Sequence, residues 1–225
     1  SILYLVYRIR LNRLLAIERI RTHISRDLHD DVGSALSSIN IWSEVAGNEM
    51  KKNPERSEEY LKRIHNSSQN MLDTMSDIIW AINPINDTVE RLLARMKHYA
   101  GEMLEPKNIK FEFAVADEIK KVSIPMQYRR ELYLIFKEAI NNAAKYSEAN
   151  KISVHITANR HRLTMDIKDN GKGFNIEDKS RGNGLRNMRA RAKNMKAEIK
   201  FSSSPGEGTQ IFLHQRFTRS GEVRK

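Results

Sequence analysis

RLTMDIKDNGKGF, residues 162–174, changes character in its middle. Leu163, Met165 and Ile167 alternate with Thr164, Asp166 and Lys168, the two-residue period of a half-buried strand. After Asp169, Gly171 and Gly173 let the backbone bend sharply and come close to a neighbour. A plain turn uses such residues too. The ligand reading adds an acid at the strand's end, able to accept a hydrogen bond from an exocyclic amine, beside glycines that leave space for a flat base.

The alternation recurs on both sides, in IKFEFAV (109–115), KISVHITA (151–158), AEIKFSS (197–203) and TQIFLHQRF (209–217). Between these strands MQYRRELYLIFKEAINNAAKYS (126–147) carries Leu132, Ile135, Phe136, Ala139, Ile140 and Ala143 at helical spacing, and LRNMRARAKNM (185–195) reads as a shorter helix. This half of the chain is predicted to be an α/β sandwich, one mixed sheet covered by helices on one face.

Three more stretches interrupt the apolar pattern. In KEAINNAAK (137–145), Glu138, Asn142 and Lys145 follow one another at spacings of four and three and share nearly one helix face. A carboxylate and an amide oxygen suit hard Mg²⁺, and a lysine suits a phosphate; a solvated helix face would show the same spacing. In GNGL, Gly182, Asn183 and Gly184 precede a helix, so free N–H groups and the positive dipole end face whatever sits there, with phosphate the natural occupant. Arg186, Arg189 and Arg191 add positive field or simply make a basic surface. In GEGT, Gly206, Gly208 and Thr209 form a turn between strands, as any hairpin would, with a hydroxyl on offer. The polar FNIEDKSR between Gly173 and Gly182 has the character of a lid.

Upstream the period changes to steps of three and four. Ile17, Ile20, Ile24, Leu28, Val32, Ala35, Ile39, Trp42 and Ala46 form one seam; Tyr60, Ile64, Ser68, Met71, Met75, Ile78 and Ile82 form a second. GNEMKKNPERSEEY separates them, and Asn83-Pro84 ends the second. Two long helices with a short turn make an antiparallel hairpin whose thin core is completed most economically by a second copy, as a four-helix bundle, although packing on the second half of the chain would also serve. Within the first helix lies LHDDVGSAL (28–36), where His29 stands beside the packed stripe and directly before Asp30 and Asp31. Metal binding is disfavoured because no second histidine lies at i+4 and His23 is off the same face. His65, in RIHNSS, lacks an acidic neighbour and reads as structural.

Composition narrows the class. With 225 residues, 40% hydrophobic, the chain can bury one large core or two ordinary ones. No cysteine is present, which excludes disulfides, thiolate metal sites and cysteine nucleophiles, and leaves a cytoplasmic setting as the default. The net charge of +11 is concentrated at the ends: six arginines against one glutamate in 1–26, and eleven basic against three acidic residues in 181–225. The body between is nearly neutral and no aromatic pattern interleaves with the basic residues, so a nucleic-acid partner is not expected. SILYLVYRIRLNRLL has an apolar run far short of the roughly 20 residues a bilayer requires. Its arginines resemble the cytoplasmic exit of a membrane helix, in which case an upstream segment would hold the protein to the membrane; an ordinary amphipathic helix start fits as well.

KEAINNAAK, DNGKGF, GNGL and GEGT, in that order over about seventy residues, resemble the N, G1, G2 and G3 boxes of the GHKL ATPase superfamily. With LHDDVGSAL upstream on a helical hairpin, the chain resembles sensor histidine kinases of the nitrate/nitrite-sensor and DesK-like class. The resemblance implies an α+β architecture: a dimerisation and phosphotransfer hairpin followed by a GHKL-type ATP-binding domain. The expected divisions are a helical stub at 1–16, the hairpin at 17–83, a linker at 84–108 containing the helix TVERLLARMKHYAGEML, the ATPase domain at 109–217 and a tail at 218–225. It further implies ATP and Mg²⁺ as cofactors, a homodimer, and a response regulator whose receiver aspartate takes the phosphoryl group. Residue by residue, His29 would be the phosphoacceptor and Asp30 its base. Asn142 would ligate Mg²⁺ with Glu138 nearby, and Lys145 would meet phosphate. Asp169 would bind the adenine amino group, Gly171, Gly173, Gly182 and Gly184 would frame base, lid and phosphates, and Thr209 would line the adenine end.

The chemistry is reasonable for these groups. A neutral imidazole has a free ring nitrogen near pH 7, and a carboxylate accepting from Nδ1–H leaves the lone pair on Nε2 and stabilises the cation formed on attack at the γ-phosphorus. Two departures stand out. Ser34 occupies a position where many members of the class have Gln or His to orient a water, so phosphatase action is not implied. Tyr146 follows Lys145 where many relatives have His. Competing readings are a non-catalytic nucleotide-binding signalling module and an ATPase in which Glu138 activates water; the His-Asp pair on a long seam argues against the latter.

Overall fold

The structure, a computed structural model, describes residues 32–33, 35–83, 88–122, 124–159, 162–176 and 183–216, together with Tyr4, Tyr7 and Leu11. His29, Asp30, Ser34 and Gly182 lie outside the described residues, as does most of the lid sequence. The chain divides into two units, Ser1–Ile82 and Asn83–Lys225.

The first unit is a helical hairpin. Helix α1 (35–49) ends where Lys52 and Asn53 donate their N–H groups to the Glu49 carbonyl, at 3.0 and 2.7 Å. Asn53 then caps α2 (Pro54–Ile82): its Oδ1 accepts from Arg56 N–H at 3.1 Å, and Pro54 takes the first helical position, where no N–H is needed. The buried Ser57 hydroxyl donates to the Ala46 carbonyl at 2.8 Å and ties the two helices beside the turn. Along the expected seams Ala46 and Ile78 are buried, and Val32, Ala35, Ile39, Trp42, Tyr60, Ile64, Ser68 and Met71 are half-buried. Met75 departs from the expectation, being exposed. It falls on a second stripe of α2 with Leu61, Leu72 and Ile79, at steps of eleven, three and four, and all four are exposed.

The second unit opens with α3 (Val89–Leu104), started by Thr88, whose hydroxyl accepts from Arg91 N–H at 3.3 Å. The sequence reading made 84–108 a linker containing a helix. The helix is there, but Leu92, Met96, Ala100 and Leu104 are fully buried, so α3 is a layer of the domain core. The apolar residues at steps of four carry that information; a connecting helix would need no such continuous face. After a 3-10 turn at Glu105–Lys107 follow β1 (Lys110–Val115), α4 (Met126–Tyr146), β2 (Lys151–Asn159), β3 (Arg162–Asp169), α5 (Gly184–Asn194), β4 (Glu198–Ser203) and β5 (Thr209–Arg216).

The sheet order is β1-β2-β3-β5-β4, with β1 and β2 parallel and the other pairs antiparallel. One face is apolar and continuous across the register: Val154, Ile167 and Ile211 stand side by side, and Ile156, Met165 and Leu213 form the next row. Leu132, Ile135, Phe136, Ala139, Ile140 and Ala143 of α4 are all buried, and Phe136 meets Phe113 of β1 edge-on at 6.3 Å between centroids. The other face is polar, with Thr157 bonded to Thr164 at 2.6 Å and Gln210 donating to Asp166 at 2.8 Å. Helices α3, α4 and α5 thus cover one side only, and the carboxyl end of β3 opens beside the C-terminus of α4. Among the described residues no helix is long and apolar enough to cross a membrane.

Candidate functional site

Helix α4 organises the site with its last three turns. Glu138 and Asn142, one turn apart, are half-buried, and Asn142 Nδ2 donates to Glu138 Oε1 at 3.0 Å. Against them stands Gly184, the first residue of α5: a Cβ there would lie 3.2 Å from Asn142 Nδ2 and overlap Glu138 Oε1. The start of α5, whose first-turn N–H groups have no partner within the helix, is therefore beside a carboxylate and an amide on α4. Lys145, one turn further on, is exposed, and Tyr146 after it is exposed too.

The C-terminal cap of α4 builds the second part. The buried Ser147 Oγ donates to Ala143 O at 2.6 Å and accepts from Ala149 N–H at 3.0 Å, while its carbonyl accepts from Lys172 N–H at 2.7 Å. A Cβ on Gly171 would fall inside that same carbonyl. The space at Gly171, read from sequence as room for a base, is thus filled by the end of α4, and the glycine lets the turn after β3 dock there.

Asp169 is buried at the end of β3, directly opposite Thr209 in the β3–β5 register. Burial pushes its carboxyl above the usual aspartate range; Gly171 N–H, donating to Oδ1 at 2.9 Å, and the backbone and hydroxyl of Thr209 pull the other way. Gly173, at φ 58, and Gly208, at φ 74, hold left-handed conformations in which no side chain fits: Cβ atoms there would run into the Ser204 and Asp169 carbonyls.

The structure accordingly gathers Glu138, Asn142 and Gly184 at one corner and Asp169, Gly171, Gly173 and Thr209 at another, with α4 common to both. Sequence reasoning missed three residues that hold these corners. Ser147 caps α4. Asn170 Oδ1 accepts from Asn150 and Lys151 N–H, at 3.2 and 3.0 Å, and its Nδ2 donates to Asn150 Oδ1 at 2.8 Å, fastening the turn to the start of β2. Ser203 lies under Thr209. The signals were present but ambiguous, since Ser and Asn at element ends bond to backbone in most turns.

Comparison with known proteins accords with this arrangement. Residues 127–219 match the family "Histidine kinase-, DNA gyrase B-, and HSP90-like ATPase", and residues 21–87 match a second family, "Histidine kinase". The sensor protein VraS of Staphylococcus saprophyticus is 29% identical over 197 residues, covering 87% of this chain and 55% of that protein. The sensor histidine kinase LiaS of Bacillus subtilis is 24% identical over 196 residues, covering 87% and 53%. The chain thus spans about half the length of the curated relatives it matches. Among solved structures, the Acinetobacter baumannii histidine kinase AdeS shares the fold at a TM-score of 0.54 and 16% identity, over 76% of this chain and 92% of that one. With both family matches in chain order over the hairpin and the sheet domain, the chain comprises a helical histidine-kinase region followed by a GHKL-type ATPase domain.

Proposed function

We propose that the chain is the catalytic core of a sensor histidine kinase: it binds Mg²⁺-ATP in the second unit, transfers the γ-phosphoryl group to His29 of the hairpin, and passes it to an aspartate of a response regulator receiver domain. The observation that carries this reading is the α4–α5 corner, where a carboxylate and an amide lie against the amino end of a helix. Asn142 and Glu138 offer hard oxygen donors of the kind Mg²⁺ takes, beside N–H groups suited to phosphate oxygens. Bound there, the cation would neutralise charge developing on the transferred group. Asp169, held by Gly171 and Thr209, accepts from the exocyclic amine of adenine and so orients the nucleotide with its phosphates toward Gly184; Lys145 meets phosphate at the exposed edge. Gly182, in GNGL, would complete the phosphate-facing turn. On the hairpin, Asp30 would hold the His29 tautomer with Nε2 free as the nucleophile.

The exposed stripe of Leu61, Leu72, Met75 and Ile79 supports a homodimer, since an apolar row on an already paired helix is covered most economically by its symmetry mate. The relatives named as sensor proteins, of whose length the match covers 55% and 53%, support a longer protein whose upstream part reaches the membrane and places this portion in the cytoplasm.

The test is incubation with Mg²⁺ and γ-labelled ATP. Protein-bound label that is acid-labile, alkali-stable and abolished by His29→Gln is expected. Label surviving that substitution refutes His29 as acceptor; nucleotide binding without label favours a non-catalytic signalling module; phosphate release without label favours simple hydrolysis.

A further inference from the structure

Ser203 is the last residue of β4, and in the burial alternation of that strand it follows Ile199 and Phe201 on the inward side. A hydroxyl thus takes the place where an apolar side chain is expected. Its oxygen has three partners from two segments. Phe174 N–H, at the root of the lid sequence, donates to it at 2.9 Å; Gly208 O lies at 2.9 Å; Thr209 Oγ1 lies at 3.2 Å.

We infer that Ser203 is a positioning residue for nucleotide recognition, fixing the hydroxyl of Thr209 against Asp169 and holding the Phe174 backbone at the same point. The inference rests on the nucleotide reading proposed above. Proton counting supports it. Phe174 N–H occupies one acceptor site on Ser203 Oγ, and the single hydroxyl proton has two acceptors, Gly208 O and Thr209 Oγ1. With that proton on Gly208 O, the shorter contact, Ser203 Oγ accepts from the Thr209 hydroxyl; when Thr209 instead donates its hydrogen bond to an ionised Asp169, the Ser203 proton turns to Thr209 Oγ1 and completes a chain of hydrogen bonds from Ser203 to Thr209 to Asp169 in place of the bond to Gly208. The remaining partner, Gly208, is held by its left-handed backbone against the Asp169 carbonyl. Gly206 N–H donating to Lys172 O at 2.7 Å clasps the same two turns together through backbone alone. Without the Ser203 hydroxyl the turns stay joined, but the Phe174 backbone and the Thr209 hydroxyl lose their common anchor.

The experiment compares the full chain with Ser203→Ala, Ser203→Thr and, as a neighbour on the exposed side, Ser202→Ala, measuring ADP and GDP binding by calorimetry and apo melting temperature. Ser203→Ala should weaken ADP about tenfold, the scale of one to two hydrogen bonds, and narrow the preference for ADP over GDP, because only the adenine amine uses Asp169. Ser203→Thr, which keeps the hydroxyl, should restore both, and Ser202→Ala should change neither. Unchanged ADP affinity in Ser203→Ala overturns the inference. So does a loss that leaves the ADP to GDP ratio intact and tracks a fall in melting temperature, since that marks a role in folding alone. A wild-type chain that binds neither nucleotide overturns the nucleotide reading first, and the role of Ser203 with it.

Discussion

Gly184→Ala separates the stability of the α4–α5 corner from its activity. The added methyl would overlap Glu138 Oε1 and stand 3.2 Å from Asn142 Nδ2, both the far ends of flexible side chains. Restoring ordinary contact moves the carboxylate by about 1 Å, enough to stretch its 3.0 Å hydrogen bond to Asn142 beyond useful range. That loss costs about 1 kcal/mol. Alanine in place of glycine in a helix returns up to about 1 kcal/mol, so denaturant unfolding should shift by less than about 1 kcal/mol in either direction. Function should respond differently, because a displacement of about 1 Å in a group that positions reactants can cost about 100-fold in rate. The assay pairs urea unfolding with the initial rate of label transfer from γ-labelled ATP. A wild-type transfer rate would refute the assignment of this corner to nucleotide and metal. A loss of more than about 2 kcal/mol in unfolding would refute the claim that only side chains yield.

Gly208→Ala meets the Asp169 backbone at a left-handed φ of 74, where nothing flexible can give way, and should lower stability by about 3 kcal/mol in the same unfolding assay. Asp169→Asn should raise the apo melting temperature at pH 7 while abolishing preference for ADP over GDP. Burial lifts the Asp169 pKa above its unfolded value of about 4, so its protonated form contributes stability below that pH which is lost as pH rises through the raised value; scans should show the Asn advantage closing below about pH 4. Glu131→Gln breaks the ion pair that links α4 to Arg191 of α5 at 3.2 Å; with Glu131 buried and Arg191 partly exposed, the expected cost is about 1–2 kcal/mol by urea unfolding. Ile79→Glu places a charge in the exposed stripe of α2 and should convert a dimer to monomer in sedimentation velocity; an unchanged sedimentation coefficient would move the interface elsewhere.

What could be read from the sequence follows from which forces act locally. Strand alternation and the α4 stripe were legible because burial imposes a period on neighbouring residues, and Leu132, Ile135, Phe136, Ala139, Ile140 and Ala143 are buried as that period requires. Period alone does not say what a face packs against. For α3 the stripe was visible, but its partner, α4, lies some forty residues on, so a core layer read as a linker. The same limit explains Met75: both its seam and the adjacent stripe have helical spacing, and only the position of α1 decides which is covered. The site glycines show a subtler limit. Gly171 announces a close approach, yet sequence cannot distinguish approach to a ligand from approach to the protein's own backbone, here the Ser147 carbonyl. Ser203 is the informative exception, since a polar residue on the inward parity of β4 breaks the rule the strand otherwise obeys. Such breaks carry a cost in burial that a hydrogen-bonding role must offset, which makes them better guides to a site than residues that conform.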